Sequence, residues 1–245
     1  MMKQPLRLIA ALLAFCVAAA TFPPVGRAAD TQDDLRALID KTSGEVLDLG
    51  GATVFALDVP LDDGSGKFAP FVINKSITIQ NGSINVRAGG IVLGANVTFS
   101  NVTFTFPGGT EGGNFIAANG HTLTLNTVSS ASKSYSFSLF CGTFTGKEHP
   151  IVSVPLPGTE GAIVLNGAVN LQSDSSTGNI YAGNVYRTTD GNGTPEKVFN
   201  GNASVTFGIN PATSNVGTFY ACGATQTNSV ATKDETYTVS GNVRI

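Results

Sequence analysis

Between Ile77 and Phe106 apolar residues fall on alternate positions, in short runs broken by Asn or Gly. Ile77-Thr-Ile79-Gln-Asn81-Gly-Ser-Ile84-Asn-Val86 is followed, at an offset of 20, by Val97-Thr-Phe99-Ser-Asn101-Val-Thr-Phe104-Thr-Phe106. Alternation with a period of two predicts strands with one face buried. Asn and Gly tolerate positive φ, so the pattern predicts a turn after only three to five residues. The template also fits upstream at an offset of 30, where Leu47, Leu49, Gly51, Val54 and Ala56 fall on Ile77, Ile79, Asn81, Ile84 and Val86. Downstream, Leu123-Thr-Leu125-Asn126 repeats its first half, 26 residues after Val97. A recurrence this short cannot bury a core of its own. It is the signature of a solenoid whose coils shelter their apolar faces by stacking. The predicted class is all-β, a parallel β-helix or β-solenoid with two or three strands per coil. Asn81 and Asn101 then sit in successive coils, either as a hydrogen-bonded amide ladder or simply as turn formers.

The C-terminal half follows a longer period. Leu139-Phe140-Cys141-Gly142, Ile180-Tyr181-Ala182-Gly183 and Phe219-Tyr220-Ala221-Cys222-Gly223 recur at intervals of 41 and 40, counted on the glycines. Between them lie Asn166 to Leu171, Asn200 to Phe207 and Ser240 to Ile245, so each unit holds two strand groups and a variable loop. At two coils per unit, Cys141 and Cys222 lie about 20 Å apart at the usual strand spacing. A disulfide needs Cα atoms within about 7 Å. Two buried free thiols are expected.

Ahead of the first coil, TQDDLRALIDKTSG reads as a capping helix. Thr31 is its N-cap, Asp33 and Asp34 lie at the positive end of the dipole, Leu35, Leu38 and Ile39 share a face, and Gly44 ends it. The first 28 residues obey other rules: Lys3 and Arg7 precede an apolar run from Leu8 to Ala20, and Gly26-Arg27-Ala28 offers small residues for cleavage. This reads as a secretory signal peptide, because the run is well short of the roughly 20 residues that span a bilayer. The expected organisation is signal peptide 1–28, capping helix 29–44, β-helix coils 45–130 and repeats of about 40 residues over 131–245, the last of them broken off inside a strand.

The helix followed by strand pairs such as SITIQNGSINV and NVTFSNVTF resembles the right-handed parallel β-helix proteins of the pectin-lyase-like type, over roughly residues 31 to 130. The later units, with segments such as IYAG and GNASVTF, resemble repeats in β-solenoid surface proteins of Gram-positive bacteria. The resemblance implies a fold and an exported bacterial enzyme or surface protein, and leaves the reaction open.

Composition agrees with a turn-rich β-protein: Gly is 29 of 245 residues, charged residues are 13% and Trp is absent. Cleavage after Ala28 removes Lys3, Arg7 and Arg27 and no acid, taking the formal charge from −3 to −6. With no Lys/Arg cluster, neither nucleic acid nor an anionic membrane is an expected partner.

Candidate chemistry is sparse. Polysaccharide-cleaving β-helices need clustered acids or a cation on one sheet face, yet Lys75, Arg87 and Glu111 are the only charges from residue 72 to 130. Asp58, Asp62 and Asp63 before Gly64-Ser65-Gly66-Lys67 match neither a calcium loop nor a phosphate loop, and read as a solvated insertion. Lys147, Glu148 and His149 sit in a turn, His121 precedes a strand, and no zinc spacing exists. Six N-x-S/T triplets, at Asn74, Asn81, Asn96, Asn101, Asn192 and Asn202, arise from composition. Phe55, Phe71, Phe99, Phe104, Phe106 and Phe115 belong to the core. Tyr181, Tyr186 and Tyr220 are the binding candidates, because a phenol tolerates a surface. The expectation is a secreted or cell-surface, adhesin-like structural and binding module with glycans or host and matrix proteins as partners. It carries no catalytic or metal residue and no cofactor. The alternatives are a polysaccharide lyase or glycoside hydrolase of the pectin-lyase-like type, and an inert truncated product.

Overall fold

A computed structural model describes residues 30–51, 54–57, 70–86, 90–105, 115–130, 138–145, 159–171, 178–187, 198–226 and 238–245. The signal segment, Phe106, Asp58, Asp62, Asp63 and the Lys147-Glu148-His149 cluster lie outside them.

The alternating runs form a parallel β-solenoid with a short N-terminal helix. One long sheet takes its strands from successive coils: Ile77–Val86, Val97–Thr105, Thr122–Ser130, Thr159–Asn170, Gly201–Ile209 and Val243–Arg244, each parallel to the next. A second sheet stacks Phe71–Ile73, Ile91–Leu93, Phe115–Ala117, Ser138–Phe140, Ile180–Tyr181 and Phe219–Tyr220. Two short ladders, Phe144–Thr145 with Val185–Arg187 and Ala224–Gln226, and Val198–Phe199 with Thr238–Val239, complete the later coils. The core lies between the two main sheets. Inward rows run along the axis, Ile77, Val97, Leu123, Ile163 and Val205 in one, Ile79, Phe99, Leu125 and Leu165 in the next, all buried. The facing sheet supplies Phe71, Ile91, Ile116, Leu139 and Ile180. Phe55, Phe99, Phe104 and Phe115 are buried as the pattern required.

Several expectations need correction. The offset of 20 is the true register, Ile77 beside Val97, but the strand does not stop at Asn81. Asn81 and Asn101 take φ of 56° and 53° inside continuous strands, so they bend the ladder without ending it. Upstream, the uniform offset of 30 fails: Leu47 pairs with Ile79 and Phe55 with Ile84. The offset is therefore 32 at Leu47 and 29 at Phe55, a change of register that leaves Val54 exposed and Phe55 buried.

Each 40-residue unit is one coil, not two, because Leu139 pairs directly with Ile180 and Ile180 with Phe219. The partner of Gly201 to Phe207 in the coil before is Thr159 to Leu165, whereas Asn166-Gly167 falls beside Gly208-Ile209. Cys141 and Cys222 therefore sit two coils apart, about 10 Å at a strand spacing near 4.8 Å. Both thiols are free, but Cys141 is buried and Cys222 only half-buried. Both main sheets run through residue 130 without a break.

The helix, α1 (Gln32–Lys41), has Thr31 as its N-cap in a reciprocal capping box with Asp34. Leu35 and Ile39 join the solenoid core, while Leu38 lies at the edge of that face and is 40% exposed. Gly44 does not end the helix. Thr42 does, donating both its N–H and its hydroxyl to the Leu38 carbonyl, at 3.0 and 2.7 Å. Two cations fasten α1 to the coil beneath. Arg36 donates to the Val72 carbonyl (3.3 Å) with its guanidinium 4.8 Å from the Phe71 ring centre. The Lys75 ammonium donates to the carbonyls of Ile39 and Thr42, otherwise orphaned at the helix end.

Candidate binding surface

Stacking in register turns every outward position into a column. On the long sheet, Thr78, Thr98 and Thr124 form one, Gln80, Ser100 and Asn126 a second, and Ser83, Thr103 and Ser129 a third. All are partly or fully exposed. Neighbours link along the axis: the Thr103 and Ser129 hydroxyls share a hydrogen bond (3.1 Å), and Asn126 Nδ2 donates to Ser100 Oγ (3.3 Å). Over Ile77–Val86, Val97–Thr105 and Thr122–Ser130 no side chain carries a formal charge. The result is a neutral grid with rows about 4.8 Å apart across coils and about 6.6 Å along each strand. Thr is held to few χ1 rotamers by its branched Cβ, which fixes the hydroxyls before anything binds.

Between the second and third columns runs the amide ladder. Asn101 Nδ2 donates to Asn81 Oδ1 (3.0 Å), and Asn81 Nδ2 donates to Asp48 Oδ2 (2.6 Å). Asp48 also accepts from Gln80 Nε2 (2.8 Å) and the Gly50 N–H (2.8 Å). An ionised carboxylate only accepts, so it fixes the direction of every donor above it. The Gln80 side chain, the Gly50 amide and the Asn81 side chain, in that order, hold the Asp48 carboxyl below its ordinary pKa of 3.8. The folded carboxyl binds its proton more weakly than the unfolded one. Its contribution is therefore complete above 3.8 and is lost as pH falls through the lower folded value. Asp48→Asn should flatten that acid limb in thermal melts followed from pH 5 downward, whereas the wild-type first coil loses hydrogen-exchange protection there.

Asn101→Ala should cost about 1–2 kcal/mol, since it places an ordinary side chain at positive φ and deletes a ladder bond. Asn101→Gly keeps the backbone geometry and should recover part of the loss in urea titrations.

The tyrosines lie on the other sheet. Tyr181 and Tyr220 belong to an outward column above Ala117 and Phe140. Tyr181 stacks on Phe140 with centroids 4.7 Å apart and planes 8° from parallel, and on Tyr220 at 5.0 Å and 13°. Both faces of its ring are covered, so Tyr181 presents an edge and a hydroxyl and offers no platform for a sugar. Burial raises its pKa above 10.0, against the opposing effect of Asn179, whose Nδ2 donates to the phenol oxygen at 3.3 Å. Tyr186 pairs through its backbone with Thr145 and Thr225, and its side chain lies outside the described residues. Tyr181 and Tyr220 thus share one column of the second sheet, whereas the Tyr186 backbone belongs to the short ladder with Thr145 and Thr225.

No family model, curated protein or solved structure matches this chain. Its chemistry must be read from its own residues. Cys141, its thiol pushed up to about 12 by burial, is an inert filler of the core. His121 is half-buried in the turn between coils, with burial depressing its pKa and its carbonyl accepting from Ala162 N–H (2.9 Å). Among the described residues no three His, Cys, Asp or Glu side chains converge as metal ligands, and no helix is long and apolar enough to cross a membrane. The hydroxyl grid contains no aromatic residue and matches no catalytic or metal motif, so no single residue of it stands out in the sequence. Its signal was present in the Thr and Ser between the apolar positions of each run.

Proposed function

We propose that the chain is an exported structural and binding module of the adhesin-like kind, non-enzymatic, which holds neutral glycans against the long sheet. One observation carries this reading: a charge-free grid of prepositioned hydroxyls and amides repeats coil after coil on an exposed face. Neutral sugars offer hydroxyls at similarly short intervals, and each hydrogen bond is individually weak. Contacts repeated along a rigid axis add up, so affinity should rise steeply with glycan length. The likeness of the N-terminal repeats to pectin-lyase-like β-helices supports a polysaccharide context and no particular reaction.

The test uses residues 29–245 on a glycan array beside immobilised matrix proteins, with release of reducing or unsaturated sugar followed in parallel. Retention by long neutral glycans is expected, weakened about tenfold, or about 1.4 kcal/mol, by Thr98→Val with Thr124→Val. Released sugar would overturn the non-enzymatic reading. Retention by matrix proteins alone would overturn the glycan assignment.

A further inference from the structure

Tyr181 and Tyr220 are held ring to ring by the coil stack itself. Their backbones are paired in parallel register, Ile180 beside Phe219 and Tyr181 beside Tyr220. Their rings stack 5.0 Å apart and 13° from parallel. Tyr220 is 40% exposed and Tyr181 half-buried beneath it. The next ring down the column, Phe140, has no phenol to oxidise.

We propose that this pair is an oxidative modification site, where a haem peroxidase with hydrogen peroxide joins Tyr181 to Tyr220 as dityrosine and staples two successive coils. The exposed Tyr220 reacts first, releasing its phenolic proton to water and one electron to the oxidised haem. A second one-electron oxidation, shared through the ring contact, makes the Tyr181 phenoxyl. Unpaired spin in a phenoxyl resides partly on the carbons ortho to oxygen, and with centroids 5.0 Å apart a modest turn of the exposed Tyr220 ring lets a Cε of each ring meet. A Cε–Cε bond forms, each joined carbon then loses its hydrogen as a proton, and each oxygen regains one. In sum the protein loses two hydrogen atoms, and one peroxide is reduced to two waters. Rings already in contact have an effective concentration in the millimolar range or above, on the order of 10³ times that of a micromolar solution of the chain. The bond should therefore form within one molecule.

The experiment treats residues 29–245 at micromolar concentration with horseradish peroxidase and limiting peroxide, then reduces any disulfide made through Cys222. Dityrosine fluorescence should appear in the monomer fraction of a sizing column, at a yield per chain independent of protein concentration. Peptide mapping should find Tyr181 and Tyr220 joined, with the mass of two hydrogen atoms missing. Tyr181→Phe and Tyr220→Phe, which keep the stack, should each remove the monomer signal, and urea should abolish it in the wild type. No dityrosine, dityrosine confined to dimers, or a monomer signal that survives Tyr220→Phe would each overturn the assignment.

Discussion

Truncating Phe99 to alanine is expected to lower the free energy of unfolding by about 3–5 kcal/mol, the usual range for a fully buried phenylalanine. Phe99 is completely buried in the row Ile79, Phe99, Leu125 and meets Phe104 edge-on, centroids 5.2 Å apart and planes at 76°. Its removal opens a cavity in the middle of the stack. Collapse around it is limited, because the coil above and the coil below are fixed by their own hydrogen-bond ladders. Stability in a solenoid is close to a sum of coil and interface terms, so a damaged central interface weakens both halves. Urea unfolding should show a lower midpoint with the slope retained. Phe207→Ala is the matched control: Phe207 occupies the same row one step beyond Leu165 but is 40% exposed, and it should cost clearly less.

The second large effect is expected from Gly183→Ala. A Cβ at Gly183 would stand 2.5 Å from the Gly223 nitrogen and 2.9 Å from both the Cys222 carbonyl carbon and the Gly223 Cα. All three are backbone atoms and cannot rotate away. Gly142 stands in the same relation to Gly183, its Cβ falling 2.6 Å from the carbonyl atoms there. These glycines are required by close approach of successive corners. The substitution should cost about 3 kcal/mol, the upper part of the overpacking range. The loss should be local. Hydrogen exchange should show Phe219–Tyr220 and the corner after it unprotected, while Ile91–Leu93 and Val97–Thr105 stay protected. Gly82→Ala should be destabilising as well, because its Cβ would stand 2.6 Å from the Leu49 Cβ, an atom that no side-chain rotation can move.

These two predictions separate what a linear reading captures from what it misses. Gly142, Gly183 and Gly223 were visible as a recurrence, but nothing in their spacing says whether they serve turns or contacts. The offset of 20 between Ile77 and Val97 was legible because the connection between them is short. The failure came where connections vary. Leu47 pairs with Ile79 and not with Ile77, and the offset falls from 32 there to 29 at Val54, so no single repeat length describes this part. The 40-residue units seemed to contain two coils because each has two strand groups, whereas the structure spends them on two faces of a single coil. Loop length counts fully in the sequence and not at all in the ladder.

The binding surface divides in the same way. Tyr181 and Tyr220 stood out as surface-tolerant aromatics, and only their stacking reveals that the Tyr181 ring has no free face. Thr78, Thr98 and Thr124 are only polar positions between core residues along the chain, and strand pairing alone sets them in one column.

The sequence by itself determined the all-β class, the period-two burial, most residues of the core and the helix capped by Thr31. Burial and capping depend on neighbours within a few residues, and those neighbours are written consecutively. Only the tertiary structure decided how many residues make one coil, which columns face solvent, and how far Cys141 lies from Cys222. Those quantities depend on which strand lies against which across 20 to 42 residues of chain, a choice made by backbone ladders and core packing together rather than by any local preference.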